Sequence, residues 1–195
     1  VRILRKPEAV QTLLAAFDTI DAGGAAVSDI IGAGIIPAAI EMMDALAIRA
    51  AEASVRPGFP PADTILIVEL DGPAAEVRAL FERVEQICRA NGATTIEVAQ
   101  TDQQRARIWK GRKAAFAAMG QVSPNYYVQD GVVPRTRLPE VLNRIRQLEA
   151  RSGLRIGNVF HAGDGNLHPL ICYDEKVPGQ ADQAEAVAAE ILAYC

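Results

Sequence analysis

The stretch that most constrains the fold is Arg155 to Asp174, RIGNVFHAGDGNLHPLICYD, where Asp164-Gly165 separates two apolar runs. An Asp-Gly pair between such runs is the strongest short-range signal for an antiparallel hairpin, because both residues accept the positive φ of a tight turn. The runs read as strands over Ile156 to His161 and Leu167 to Tyr173. With Asp164 and Gly165 at the two central turn positions, Gly163 lies opposite Asn166, Ala162 opposite Leu167, and His161 opposite His168. Both imidazoles then project from one face, beside Asn166 and the bare Gly163. Phe160, Ala162, Leu167 and Pro169 fall on the other, buried face, and Pro169, which has no N–H, favours an edge strand.

Directly opposed side chains have Cβ atoms roughly 4.5–5.5 Å apart, a spacing from which two imidazoles reach one ion at about 2.0–2.1 Å. The chain holds two histidines in all, and this hairpin has both. Two readings stand at this point. The histidines are metal or substrate ligands, or they cap a hairpin through ordinary hydrogen bonds.

Upstream, alternation and helical periodicity give a strand over Ala9–Phe17, a helix from about Asp18 to Ile31 stopped by Gly32 and Gly34, and a strand over Ile35–Met43. A helix over Asp44–Ser54, a turn-rich linker over Arg56–Asp63, and a strand over Thr64–Asp71 follow. An amphipathic helix over Ala74–Ala90 and a strand over Thr94–Ala99 complete residues 1–100. The order β-α-β, an extra helix, then β-α-β matches an α+β, ferredoxin-like split βαβ plait with helices on one face of an antiparallel sheet. Residues 101–195 extend it with further helices and the histidine β-hairpin. A fold of this kind names no function.

The helix expected from Asp102 to about Gly120 carries Arg112 in the middle of an arc formed by Ile108, Trp109, Ala115, Phe116 and Met119, with Arg105 beside it. A guanidinium on an apolar face must be paired. A protein carboxylate such as Asp130 or Asp164 serves, and so does the carboxylate of a bound substrate, which Arg grips bidentately. Pro124 to Val133 reads as one strand, Leu138 to Ala150 as an amphipathic helix, and Gln180 to Cys195 as a final Ala-rich helix.

The formal charge of −4 lacks the basic footprint of nucleic-acid binding. No apolar run approaches the roughly 18 residues of a membrane span. Cys88, Cys172 and Cys195 are odd in number and widely spaced, which suits reduced thiols and a cytoplasmic setting, any contact with the inner membrane being peripheral. Phosphate loops, nucleophile elbows and C-x-x-C pairs do not occur.

HAGDGNLHP, with WKGRKAAF, NYYVQDGVVPRTRLPEV and ILIVELDG, resembles the C-terminal domain of FAD-linked oxidases, of the glycolate oxidase flavoprotein and D-lactate dehydrogenase type. The resemblance runs over essentially the whole chain. It implies a cap and substrate domain that works against a separate N-terminal FAD-binding domain, the two oxidising a small 2-hydroxy acid to the 2-oxo acid. By the same resemblance His161 and His168 are catalytic and ligate a divalent metal such as Zn. Arg112 and Asn166 hold the substrate, and Gly163, Asp164, Gly165 and Asn166 lie near the flavin. Other oxidase subunits and a homodimer are further expected partners.

The family pattern continues into a Gly-Glu-His-Gly segment supplying another metal ligand and the base, whereas this sequence starts at Val1 and stops at Cys195. The expectation is a piece of a longer protein, inactive alone. The hydroxyglutarate-oxidising branch carries a lysine where this chain has Val128, which implies a small monocarboxylate, glycolate or lactate. A metal-dependent hydrolase and a non-catalytic ligand-binding or dimerisation module are the rival readings.

Overall fold

In the computed structural model, residues 6–195 are described. Strands β1 (Ala9–Phe17), β2 (Ala39–Asp44), β3 (Thr64–Gly72) and β4 (Thr95–Val98) form an antiparallel sheet in the order β4-β1-β3-β2. This is the strand order of the split βαβ plait read from the sequence. Its crossovers are α1 (Ile20–Gly32) and α3 (Ala74–Ala90). The extra helix, α2 (Ala45–Val55), joins β2 to β3.

The sheet does not stop there. Strand β7 (Ile156–His161) pairs with β2, and β8 (Asn166–Leu167) and β6 (Gly131–Val132) continue outward. On a second branch β9 (Pro169–Tyr173) pairs with β7 and with β5 (Asn125–Val128). Every one of these pairings is antiparallel.

Helices cover both faces of the sheet, not one. Helices α1, α3, α5 (Leu138–Ser152) and α6 (Gln180–Tyr194) bury Leu13, Phe17, Met42, Leu66 and Phe160 on one side. On the other, α2 and α4 (Asp102–Ala118) cover Leu14, Met43, Ile65 and Ile67. The inserted α2 is the cause. Strands whose residues are apolar in continuous runs, such as TILIV in β3, have a second face to bury, and a helix between β2 and β3 supplies the cover.

Local chemistry starts the helices as expected. Asp44 accepts from Ala47 N at 2.9 Å and Thr101 from Gln104 N at 3.2 Å, each satisfying a first-turn N–H that has no partner within its helix. Three boundaries moved. Strand β2 begins at Ala39, since Gly34 at φ 76 and Pro37 hold residues 35–38 out of the ladder. The strand expected over Pro124–Val133 is split into β5 and β6 at Gln129-Asp130, where its partner crosses from one branch of the sheet to the other.

The third difference is the hairpin. His161 pairs with Asn166, so Ala162 to Gly165 form a four-residue loop and His168 is not opposite His161. The slip is two residues, and a two-residue slip keeps each side chain on its expected face. Pro169 is not on an edge, because β9 lies between β5 and β7. It takes the first position of β9, the other place where a missing N–H is tolerated.

Candidate active site

Register aligns the site. Val132 pairs with Asn166, Asn166 with His161, His161 with Glu41, and Glu41 with Ile67, giving one cross-strand row on the face covered by α2 and α4. Asp130 falls opposite His168, since β5–β9 and β6–β8 share one register on either side of it. The imidazoles of His161 and His168 meet edge to face with centroids 5.3 Å apart, so they converge as diagonal neighbours.

Helix α4 lies above the row. Gly111 lets it approach closely, for a Cβ there would sit 2.4 Å from the Phe59 ring. Its neighbour Arg112 is thereby lowered into the interior, with 7% of its surface exposed, against Glu41 at 6%. The partner of Arg112 is a protein carboxylate, but neither Asp130 nor Asp164. Glu41 Oε2 accepts from Nε at 3.0 Å and lies 2.7 Å from Nη2.

The other oxygen, Glu41 Oε1, is 2.8 Å from His161 Nδ1. A carboxylate can only accept from that nitrogen, so in the neutral ring the proton sits on Nδ1 and the lone pair on Nε2. His168 Nδ1 lies 3.5 Å from Asp130 Oδ1, and the ring of Phe116 stands edge-on at 5.9 Å. Burial pushes the His168 pKa below the usual imidazole value, opposed by Asp130 and reinforced by His161 and Arg112. Burial thus favours the neutral form of His168.

Of the loop residues, Gly163 donates to Ile40 O at 3.1 Å and packs on the Ile40 side chain, and Asp164 is exposed. Gly165 is buried beneath Val133, whose carbonyl oxygen would be 2.1 Å from an added Cβ. Asn166 Oδ1 is buried with no donor among the described residues. A cavity of about 230 Å³ opens beside His161 and the start of the loop, lined by Glu41, His161, Gly163, Asp164, Arg135 and the 36–40 segment, and not by Asn166 or His168.

A larger groove of about 800 Å³ runs along α4 past Glu69, Arg105, Trp109, Lys110 and Lys113. Its polar groups are largely committed to one another. Glu69 accepts from Arg105 at 2.8 and 2.7 Å, from Trp109 at 2.7 Å and from Thr12 at 2.7 Å. The smaller cavity, walled in part by Glu41 and His161, is the better chemical site.

Among the described residues no group of three or more His, Cys, Asp or Glu side chains is placed to hold a metal ion. His161 and His168 supply two nitrogen ligands, with carboxylates behind their Nδ1 atoms as in metal-binding histidines. They fit part of a metal site, not a whole one. Three protein ligands, which a hydrolytic zinc centre requires, are not assembled by the described residues. Glu41, invisible as a site residue from sequence, had a signal. It is an acid flanked by apolar residues within a strand, as Arg112 is a base in the middle of an apolar helix arc.

Solved structures share this antiparallel α+β fold: an alkyldihydroxyacetonephosphate synthase matches 98% of this chain and 40% of its own, with a TM-score of 0.69 at 16% identity. The 4-ethylphenol oxidase from Gulosibacter chungangensis matches 96% of this chain and 44% of its own, with a TM-score of 0.67 at 14% identity. The chain belongs to the family of the C-terminal domain of FAD linked oxidases, whose model matches residues 6–195.

Among curated relatives, glycolate oxidase subunit GlcD of Escherichia coli K12 is 48% identical over all of this chain and 39% of its own length. The Bacillus subtilis GlcD is 34% identical over 98% of this chain and 41% of its own. A mitochondrial D-lactate dehydrogenase [cytochrome] of Arabidopsis thaliana is 27% identical over 95% and 33%. The chain thus spans about two-fifths of the length of the GlcD relatives.

Proposed function

We propose that this chain is the substrate-facing domain of an FAD-dependent oxidoreductase that converts a small 2-hydroxy acid, glycolate or D-lactate, to the 2-oxo acid. The observation that carries the reading is Glu41 holding His161 by Nδ1, with both residues lining one small cavity and Nε2 uncommitted among the described residues. The names of the relatives at 48% and 34% identity support glycolate.

The chain fits a flavin as a face, not as a nucleotide cleft. It has no glycine-rich phosphate loop, whereas Val132, 64% exposed, and the donorless Asn166 lie side by side on the row that leads to His161. FAD, held by an FAD-binding domain elsewhere in the same protein, supplies the acceptor for the hydride of the substrate α-carbon. The residues here do the rest. His161 Nε2 takes the hydroxyl proton, neutral His168 and Asn166 orient the hydroxyl, and Glu41 stabilises the imidazolium that forms. A divalent metal on the two imidazoles, its site completed by the remainder of the protein, would occupy Nε2 of His161 and leave the hydroxyl proton to another base.

The reading sets the protein in the cytoplasm, supported by three unpaired cysteines; among the described residues no helix is long and apolar enough to cross a membrane. Association with other oxidase subunits is part of it, supported by the subunit names of the relatives.

The test is anaerobic reduction of the full-length flavoprotein by glycolate or D-lactate, for wild type and His161→Ala. Bleaching of the flavin in wild type and its loss in the variant support the reading. Absence of bound flavin, or equal bleaching in both proteins, returns the histidines to a structural role.

A further inference from the structure

Helix α4 carries five basic side chains, Arg105, Arg107, Lys110, Arg112 and Lys113, against one acid, Asp102, in a chain whose formal charge is −4. Three of the five are answered one to one by a carboxylate of the sheet. Arg105 is held by Glu69 at 2.7 Å, Arg107 by Glu97, and Arg112 by Glu41 at 2.7 Å. Lys110 and Lys113 are exposed and have no ion pair or side-chain hydrogen bond among the described residues. Residues three apart on a helix are surface neighbours, so these two ammonium groups repel one another until an anion comes between them.

Both lysines line the groove of about 800 Å³ on the open side of α4, with Ala106, Ala114 and Trp109. The opposite side of the helix is already covered, where Gly111 closes on Phe59 and Pro57. The alanines keep the floor low, and the indole is fixed as a wall by its N–H, which donates to Glu69 at 2.7 Å. Glu69 itself is taken up by Arg105, Trp109 and Thr12 and does not answer the lysines. From Ala106 to Ala114 the helix runs about 12 Å, enough to seat two turns of a helix or about four residues of extended chain. A fixed aromatic wall inside a charged rim is the make-up of a polypeptide-binding surface. The net negative charge of the chain disfavours nucleic acid there.

We infer that this groove is the docking surface for an acidic segment of another subunit of the oxidase, whose carboxylates pair with Lys110 and Lys113 while an apolar side chain rests on Trp109. The inference rests on the reading above that the chain works among other oxidase subunits. Glu69 pairs with Ala39 two residues along the ladder from the Glu41–Ile67 pair, so the groove shares a sheet face with the imidazole row. A subunit seated there lies beside the proposed site without using any residue that the proton chemistry needs.

The experiment measures binding of the full-length flavoprotein to the purified remaining subunits of the same oxidase. It compares wild type, Lys110→Glu with Lys113→Glu, the charge-keeping Lys110→Arg with Lys113→Arg, and Lys176→Glu, an exposed lysine outside the groove. In the double reversal Kd rises about 10- to 100-fold, the scale for two rim charges turned from attraction to repulsion. The arginine pair and Lys176→Glu stay within about threefold of wild type, and added salt weakens wild type more than the reversal. Anaerobic bleaching of the flavin by glycolate is the same in every variant. A Kd for the double reversal within about threefold of wild type overturns the assignment, as does a wild type that binds none of the subunits. Loss of bound FAD in the reversal also overturns it and gives the groove to the flavin-binding domain, and loss of self-association gives it to a second copy. If glycolate fails to bleach wild-type flavin, the hydroxy-acid reading fails, while the binding comparison still decides the groove.

Discussion

Glu41 and His161 are 120 residues apart in sequence and 2.8 Å apart in space, joined through the single register in which β2 meets β7. The carboxylate fixes the tautomer and orientation of the ring. In full-length enzyme, Glu41→Gln leaves an amide in the same place, which can offer its N–H side to Nδ1 and favour the wrong tautomer. The expected outcome is a fall in kcat of about 10²-fold, with a smaller change in KM, within the range for positioned acid–base groups. Rapid-mixing measurement of flavin reduction checks it, and an unchanged reduction rate would detach Glu41 from the chemistry.

Arg112 and Glu41 form a buried pair, and breaking such a pair costs more than deleting it. Arg112→Met alone is expected to lose roughly 3–5 kcal/mol, because Glu41 stays behind without its main partner. The double variant Arg112→Met with Glu41→Leu should recover most of that stability while remaining inactive. Urea unfolding of the four proteins in the cycle measures the coupling. Additive losses would show that the pair carries no interaction energy.

Asp44 sits fully interior, accepting from Ala47 N, Asn158 N and Asn158 Nδ2. Burial pushes its pKa up to about 6, against the pull of those three donors. The folded state therefore holds the proton more tightly than the unfolded chain, at 3.8. Its contribution to stability is fully present below that value and is lost as pH rises through about 6. The loss by pH 7 is about 3 kcal/mol. The difference in unfolding free energy between wild type and Asp44→Asn, followed from pH 3.5 to 7.5 in roughly half-unit steps, should fall by that amount as pH rises. A flat difference would mean the carboxyl is not strained by burial.

Gly165 has φ +70 and would place a Cβ 2.1 Å from the Val133 carbonyl oxygen. Alanine there meets both a disfavoured backbone conformation and a backbone atom that cannot rotate away. Gly165→Ala should cost about 2 kcal/mol or more and move the 133–135 segment, raising KM as well. Gly34, also at positive φ but with open space around it, makes the control. Gly34→Ala should cost about 1 kcal/mol. Thermal unfolding separates the two.

The three thiols differ in reactivity. Burial pushes Cys88 up to about 12 and Cys172 up to about 11. Cys195, half-buried at the end of α6, is raised by burial but lowered by Arg137. Iodoacetamide at neutral pH should label Cys195 first and leave Cys88 and Cys172 unmodified until denaturant is added, as peptide mass mapping would show.

Much of this architecture is legible in the sequence. The apolar runs and caps marked most elements to within a residue or two, α3 over Ala74–Ala90 among them, and Asp164-Gly165 foretold the hairpin. Its register was missed because Asp-Gly favours a two-residue turn, while contacts of Gly163 with Ile40 and of Gly165 with Val133 enforce a four-residue loop. Those partners lie far away in sequence, and local turn chemistry carries no trace of them. Parity survived the error, so the histidines still converged. Glu41 escaped for a related reason. A charged residue is recognised as functional by what it faces, and Glu41 faces His161 across a strand pairing that no short window contains.

Strand β2 meets β7 through only three registered pairs, and Glu41 and His161 are one of them. The seam between the plait and the hairpin is thus also the place where the proposed base is held. Without that pairing the Glu41 carboxylate and the His161 ring do not meet. On the proposed reading, closure of the sheet and orientation of the imidazole are a single event.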